Sequence, residues 1–565
     1  MNSETKNCQN CKNQFTIEPD DFSFYEKMKV PPPTFCAECR LQRRLAFFNL
    51  VTLYKRPCDL CKKDTISMYP LEANYTVYCP TCWWGDGWDP LSYARDYDFS
   101  RSFFEQFDEL MHEVPHLALA IEQNVIATSP YTNYTGSLKN CYLVFNTDWT
   151  EDASYGVYIM HSNTMLDSSL VMSSDRCYDS MHIFKVSGGV GLRNQVTESM
   201  NCHFLRNCAN CQNCFGSANL RNKKYHYFNE PLSKEEYSNR LDQIDFGSYA
   251  QYQGIKKETE KHWDSFPQKA YYDDMSVGCT GNMIFESKNC KDSFELVTCQ
   301  DGRYLHFLHD TKDSYDITGW GGAELSYDSL TIGENAQNIK WSVLSAIGGS
   351  DMEYSFLTIG GRGFFGCVSV KKGEYTIFNK PYSKEEFYAL RGKIIQQMND
   401  MPYTDKRGNV YRYGEFFPIA LSPWTYNATV AQRVFPMTES DAVSYGYNWQ
   451  EKTPTEHAIT KRSEDLPDNI KDVDETILKE VIQCTLCKKG FKIVRAELDF
   501  LRGRHFPLPR ACPFCRIGEK LDMWLDESKM TTCQCVQCGK TTPVSKLLKN
   551  KPIVYCKDCY TKEIV

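Results

Sequence analysis

No uninterrupted apolar run in the sequence approaches the roughly 20 residues that a membrane-spanning helix needs, so no helical span and no membrane partner are expected. Nor does an apolar stretch follow Met1-Asn2-Ser3-Glu4-Thr5-Lys6, and the reading is an unexported, cytoplasmic chain. Catalytic signatures are equally scarce. Neither Gly-x-Ser-x-Gly nor His-Glu-x-x-His occurs, which removes the nucleophile-elbow hydrolases and the zincin proteases. Histidines number 11, and His161, His182, His203, His306 and His309 are scattered through the middle in no catalytic spacing. One Gly-x-Gly-x-x-Gly exists, Gly361 to Gly366, but it continues into the strand-like Cys367-Val-Ser-Val370, where a dinucleotide site needs a helix. No catalytic residue is nominated.

The 565 residues are 42% hydrophobic and 14% aromatic, enough for several cores. The 27 cysteines are the abundant feature. In an unexported chain, paired cysteines point to metal rather than to disulfides. Cys8-x2-Cys11 is followed by 24 residues and Cys36-x2-Cys39, then Cys58-x2-Cys61 by 17 residues and Cys79-x2-Cys82. The far end repeats both gaps: Cys484-x2-Cys487, 24 residues, Cys512-x2-Cys515; then Cys535-x2-Cys538, 17 residues, Cys556-x2-Cys559. Phe15, Ile17, Phe24, Pro31, Pro33 and Arg40 match Phe491, Ile493, Phe500, Pro507, Pro509 and Arg516, so the ends are duplicates. Two Cys-x2-Cys turns bring four thiolates to one ion at about 2.3 Å and close the site, which predicts four structural zinc ions. Cys533 is spare. Exchange of ligand pairs between neighbouring modules is an alternative that spacing leaves open.

Cys-x2-Cys, Phe-x-Ile, Pro-x-Pro and Cys-x2-Cys-Arg resemble bacterial zinc-ribbon or treble-clef modules. With Tyr75-Thr-Val-Tyr-Cys79, Trp83-Trp84, Trp88-Asp89-Pro90 and Arg101-Ser-Phe-Phe104, the chain resembles a zinc-ribbon family common in candidate-phyla-radiation (Patescibacteria) bacteria. That resemblance implies zinc modules around a repetitive middle and no reaction.

The middle is rich in Asn, Ser, Asp, Tyr and Gly, with apolar-alternating pieces too short for helices. Phe215–Tyr237 aligns without gaps on Phe365–Phe387, 150 residues later, and each copy ends in a capping box, Ser233 to Glu236 and Ser383 to Glu386, that should start a helix. Units such as Asp292-Ser-Phe-Glu, Asp313-Ser-Tyr-Asp and Leu325-Ser-Tyr-Asp recur at spacings of 21, 12, 12, 15 and 12. The expectation is a mainly β protein: duplicated central β-solenoid lobes, parallel β-helix-like, with capping helices, flanked at each end by a tandem pair of zinc-ribbon or treble-clef modules. A β-sandwich is the competing fold. Boundaries are set at 1–90 (zinc pair), 91–120 (helical connector), 121–245 and 246–400 (lobes with capping helices), 401–480 (aromatic segment and polar linker) and 481–565 (zinc pair). Cys202, Cys208, Cys211 and Cys214, in Asn-Cys pairs, read as cysteines stacked inside solenoid turns, with a fifth metal as the alternative.

Residues 1–90 hold 11 Lys+Arg against 11 Asp+Glu, while 484–565 hold 16 against 8. The whole chain carries −8, so the middle is strongly acidic. Arg40, Arg43, Arg44, Lys492, Arg495, Arg502, Arg504 and Arg510 are candidate phosphate contacts if the ends bind RNA or DNA. Against that stand the acidic middle and the charge of the thiolate sites. The reading is a non-enzymatic zinc scaffold that binds protein or self-associates, its middle a rigid spacer. Nucleic-acid binding is the first alternative and a carbohydrate-acting β-helix enzyme the second.

Overall fold

The computed structural model describes residues 2–122, 128–345, 348–451 and 458–564. Its centre is a parallel β-solenoid in two lobes. Short strands pair with strands one turn later: Met165 faces Cys177 and Val171 faces Ile183 in the first lobe, Phe294 faces His306 and Ile317 faces Ser329 in the second, all 12 residues apart. The β-sandwich reading is thereby replaced, because a sandwich is built from antiparallel ladders.

A twelve-residue coil is tight, and the backbone bends it by placing every third residue in the left-handed region. Asn140, Leu143, Asn146, Trp149 and Asp152 lie at φ of 47° to 53°, and the same period runs through both lobes. Left-handed backbone costs an ordinary L-residue roughly 1–2 kcal/mol, least for Gly, Asn and Asp. The composition follows: Asn, Asp and Gly crowd these positions, and among the described residues no valine or isoleucine occupies one. The next residue of each triplet points inward and the third outward. Asn-Cys pairs are therefore a corner residue followed by a core residue.

Inward Ser, Thr and Cys answer a backbone problem. Ser168 Oγ donates to the Leu166 carbonyl and accepts from the Ser180 amide one turn on; Ser180 Oγ donates to Tyr178 and accepts from Leu192. Cys208 does the same between the Arg206 carbonyl and the Leu220 amide. A small side chain with donor and acceptor thus satisfies a buried amide that has no carbonyl opposite. Cys202, Cys208, Cys211 and Cys214 are buried rungs of these ladders. They form no metal-sized group among the described residues.

The irregular spacing of the repeated units has a structural cause. Tyr327 faces Lys340 and Gln337 faces Ser350, both 13 apart, so two turns each carry one extra residue. The left-handed corners run Asp313, Leu325, Asn338, Asp351 and Gly363, at spacings of 12, 13, 13 and 12, where the repeated sequence units suggest 12, 12, 15 and 12.

Phe215–Tyr237 and Phe365–Phe387 end their lobes alike. The Asn229 side chain accepts from the Ala218 amide and donates to its carbonyl; Asn379 does so with Val368. A hairpin follows in each, then a helix capped by Ser233 (Lys234–Leu241) or Ser383 (Lys384–Asp400), both with complete capping boxes.

The chain divides into two compact units, each discontinuous in sequence. One comprises Met1–Ala120 and Tyr272–Glu451, the other Ile121–Tyr271 and Lys452–Val565. Each holds one lobe and one zinc-module pair, so the modules lie on a lobe and the middle is no bare spacer. In each, a strand after a helix pairs in parallel with the second module: Val77–Tyr78 with His116–Leu117, and Val554–Tyr555 with Gln268–Lys269. The tract expected to be a linker is built in its described residues, and 452–457 lie outside them. Glu439–Ser444 is helical, and Ile470–Asp472 and Glu475–Lys479 form 3-10 turns that bury Ile470, Val473 and Ile477.

Candidate metal centres

Each module gathers its cysteines by one device. The first pair sits on a tight knuckle: the Cys8, Cys58, Cys484 and Cys535 carbonyls accept from the amide of the residue after the second cysteine, namely Lys12, Lys62, Lys488 and Gly539. Those four residues all lie at φ of 63° to 71°. The second pair opens a helix. Cys36, Cys79 and Cys512 are N-cap residues of Ala37–Ala46, Pro80–Trp84 and Pro513–Glu527, and Cys556 immediately precedes Lys557–Ile564. A helix N-terminus favours thiolate charge.

Four tetra-cysteine groups result: Cys8/Cys11/Cys36/Cys39, Cys58/Cys61/Cys79/Cys82, Cys484/Cys487/Cys512/Cys515 and Cys535/Cys538/Cys556/Cys559, each with its sulfurs within 4.8 Å of one another. Sγ–Sγ separations are 3.7 Å for Cys11–Cys36, 3.9 Å for Cys61–Cys79, 3.8 Å for Cys487–Cys512 and 3.9 Å for Cys538–Cys556. A regular tetrahedron with metal–sulfur bonds of about 2.3 Å has edges of about 3.8 Å. All sixteen thiols are free of disulfides. The donor set therefore fits a tetrahedral thiophilic ion. Each group is confined to one module, so no ligands are exchanged between neighbours, and Cys533 stands outside.

Backbone amides prepare the sulfurs. Cys79, Cys512 and Cys556 each donate an amide to the first cysteine of their module at 3.2–3.3 Å. Burial opposes ionisation of Cys535, but the amides of Cys556, Cys538 and Gln537 outweigh it and bring the thiol down to about 6. Cys484 is brought to about 7 in the same way, against burial, by the amides of Cys512, Cys487 and Leu486.

The candidate phosphate contacts divide sharply. Arg40, Arg43 and Arg44 are at most 2% exposed. Arg40 pairs with Asp316, Arg44 with Asp316 and Asp328, and Arg43 with Glu415. They lock the first module onto its lobe and present nothing to solvent, because Asp316 and Asp328 are corner residues stacked on successive turns. Arg516 and Lys520 repeat the device on Asp167 and Asp179, also stacked corners. Arg495 and Arg502 share Glu475, Arg504 donates to the Arg176 carbonyl, and Arg510 donates to the Leu466 and Pro467 carbonyls. Lys492 is exposed and, alone of the eight, makes no ion pair or side-chain hydrogen bond among the described residues. The sequence carried a signal for this role: arginine directly after the last cysteine in both copies, and aspartates at a spacing of 12. No protein-family model matches the chain, and no curated protein matches it in sequence.

Proposed function

We propose that this chain is a non-enzymatic scaffold that binds other proteins, its terminal modules held by four structural zinc ions. The observation that carries it is the set of four tetra-thiol groups of tetrahedral dimensions, each on a knuckle-and-helix module of treble-clef type. Four sulfurs fill a tetrahedral shell and leave no position for substrate. Tetrahedral S4 sites suit zinc or iron, and zinc is the reading for an isolated, redox-silent ion. The buried stacked carboxylates, Asp167 with Asp179 and Asp316 with Asp328, are paired with cations, which argues against an acid–base role for them. Loss of Arg40, Arg43 and Arg44 to the interior removes the N-terminal part of a nucleic-acid surface, and protein binding takes precedence.

Elemental analysis of protein purified without chelator tests the metal: four zinc per chain are expected. Fewer than three, or a sample rich in iron, would overturn the assignment. Binding of the full chain to single-stranded RNA across a salt series tests the second reading, since phosphate contacts weaken steeply as salt rises.

A further inference from the structure

The two first-type modules are copies, yet their outer faces have different fates. In the first, the knuckle is covered by the chain's own hairpin, in which Tyr403–Thr404 pairs antiparallel with Val410–Tyr411, and by the run from its second strand to Glu415. The Gln9 side chain donates to the Val410 carbonyl at 3.0 Å and accepts from the Val410 amide at 2.7 Å, as a neighbouring strand would. Asn409 donates to Asn10 at 3.3 Å. Arg43 on the module helix then meets Glu415 on the covering segment at 2.9 Å, and Phe416 packs on Phe47.

The same positions of the third module are Thr485 for Gln9, Leu486 for Asn10, Phe514 for Glu38 and Glu519 for Arg43. Among the described residues nothing takes the place of Asn409 and Val410. Lys461–Arg462 pairs in parallel with Ile482–Gln483 on the strand before the knuckle, and Ser463, Leu466 and Pro467 meet Gln483 and Arg510, but none of them hydrogen-bonds to Thr485 or Leu486. Leu486 is 62% exposed and Phe514 48%. Leu486 lies between Cys484 and Cys487 and Phe514 between Cys512 and Cys515, in the two turns whose Cys487 and Cys512 sulfurs lie 3.8 Å apart. Glu519 is exposed on the same helix as Phe514, and Arg193, which it influences through space, is already paired with Asp179.

We infer that this face of the third module is a docking surface for an extended protein segment carrying apolar side chains and a lysine or arginine. The fold shows how such a segment lies, because the first module holds the Asn409 to Glu415 arm of a hairpin in this way. The polarity is inverted: an arginine on the helix takes an acidic occupant, and a glutamate takes a basic one. Exposed Leu486 replaces Asn10, which accepts from Asn409 in the copy, so apolar contact supplies there what a side-chain hydrogen bond supplies in the first module, and exposed Phe514 adds apolar surface. The inference rests on the scaffold reading and names the surface and the partner chemistry.

The test selects a displayed library of random peptides, about a dozen residues long, on the zinc-loaded full chain. Peptides pairing aliphatic or aromatic residues with Lys or Arg are expected, and L486D should weaken the best of them about tenfold or more. E519K should reverse the preference toward acidic peptides, a change that a merely damaged module cannot produce. Zinc content and melting temperature of both variants should match the parent, since both positions are solvent-exposed. No enrichment from a chain carrying four zinc ions overturns the inference and leaves the scaffold reading standing; fewer than three zinc ions overturns both. Enrichment indifferent to L486D, or a single-stranded RNA that binds in a Leu486-dependent way, also overturns it.

Discussion

In the unit of residues 1–120 and 272–451, Arg40, Arg43 and Arg44 enter the module–lobe interface together and meet Asp316, Asp328 and Glu415. In the unit of 121–271 and 452–565, only Arg516 and Lys520 come from the module. Asp179 receives further cations from Lys256 and from Arg193 of its own lobe, and Glu497 pairs with Arg516. The two units differ in which residue brings each charge, while neither leaves a buried corner aspartate without a cation. Desolvating a carboxylate costs several kcal/mol unless it is paired, so the duplicates are constrained in charge balance and free in its source.

Zinc removal is the largest break to apply to that comparison. C39S and C515S each remove one ligand from equivalent sites, and structural zinc contributes on the order of 10 kcal/mol to a module that cannot form without it. Metal per chain should fall from four to three in each, with protease cutting confined to the affected module. The β signal of the lobes should persist in circular dichroism, because their ladders contain no metal. Collapse of a lobe in either variant would show that the lobe depends on its module.

The interface charges come next. R44A takes a cation from both Asp316 and Asp328 and leaves each with one, Arg40 and Arg43 respectively; deleting one partner of a buried pair costs about 3–5 kcal/mol. K520A should cost roughly half as much, because Asp179 keeps Lys256 and Arg193. Urea midpoints of the two variants decide it, and equal losses would refute the idea that cation sources are interchangeable.

Acid should strain both units in the same direction. Burial opposes ionisation of Asp179, but Lys256, Lys520 and Arg193 outweigh it and hold its carboxyl well below the usual range. Glu353 is likewise lowered, against burial, by Arg391 and Lys340 and by hydrogen bonds from Arg391 and Tyr413. A lowered folded-state value means stabilisation that is complete above the ordinary carboxylate range and is lost as pH falls below it. Each such group contributes a slope of up to about 1.4 kcal/mol per pH unit below about pH 4. Urea midpoints from pH 6 to pH 3 should fall, and D179N should flatten part of the fall.

The metal centres were legible because ligand spacing is local and repeats to the residue. So was the class of the middle, because a coil of fixed length writes its period into the sequence. The corner rule was visible only in part, in the Asn-Cys pairs, since Tyr155 and Leu170 also occupy left-handed corners and carry no such bias. The role of Arg40, Arg43 and Arg44 was misread for a physical reason. A basic cluster beside zinc looks the same in sequence whether it faces phosphate or aspartate. The partners here lie more than 270 residues away, Asp316 and Asp328 at solenoid corners and Glu415 beyond the lobe.

The smallest difference between the units lies at the asparagine caps, and it is the sharpest test of their equivalence. Asn379 is fully buried, and besides the Val368 amide and carbonyl, at 2.9 Å each, it donates to the Pro90 carbonyl at 3.1 Å. Asn229 holds the Ala218 amide and carbonyl at 3.0 and 2.8 Å but is only partly buried, with His262 as its third partner. Truncation leaves the Val368 amide unpaired in the interior, where an orphaned group costs about 1–3 kcal/mol, whereas water can reach part of the Ala218 site. N379A should therefore destabilise by about 2–3 kcal/mol and N229A by about 1 kcal/mol. Faster amide exchange should be confined to the last turn of the lobe concerned. Aspartate separates the two hydrogen bonds. N379D keeps the acceptor for the Val368 amide and loses both donated bonds, which places a carboxylate against two carbonyls. It should be worse than alanine at 379 and close to alanine at 229, where solvent reaches the charge. If N229D and N379D behave alike, the burial difference between the two lobe ends has no energetic consequence.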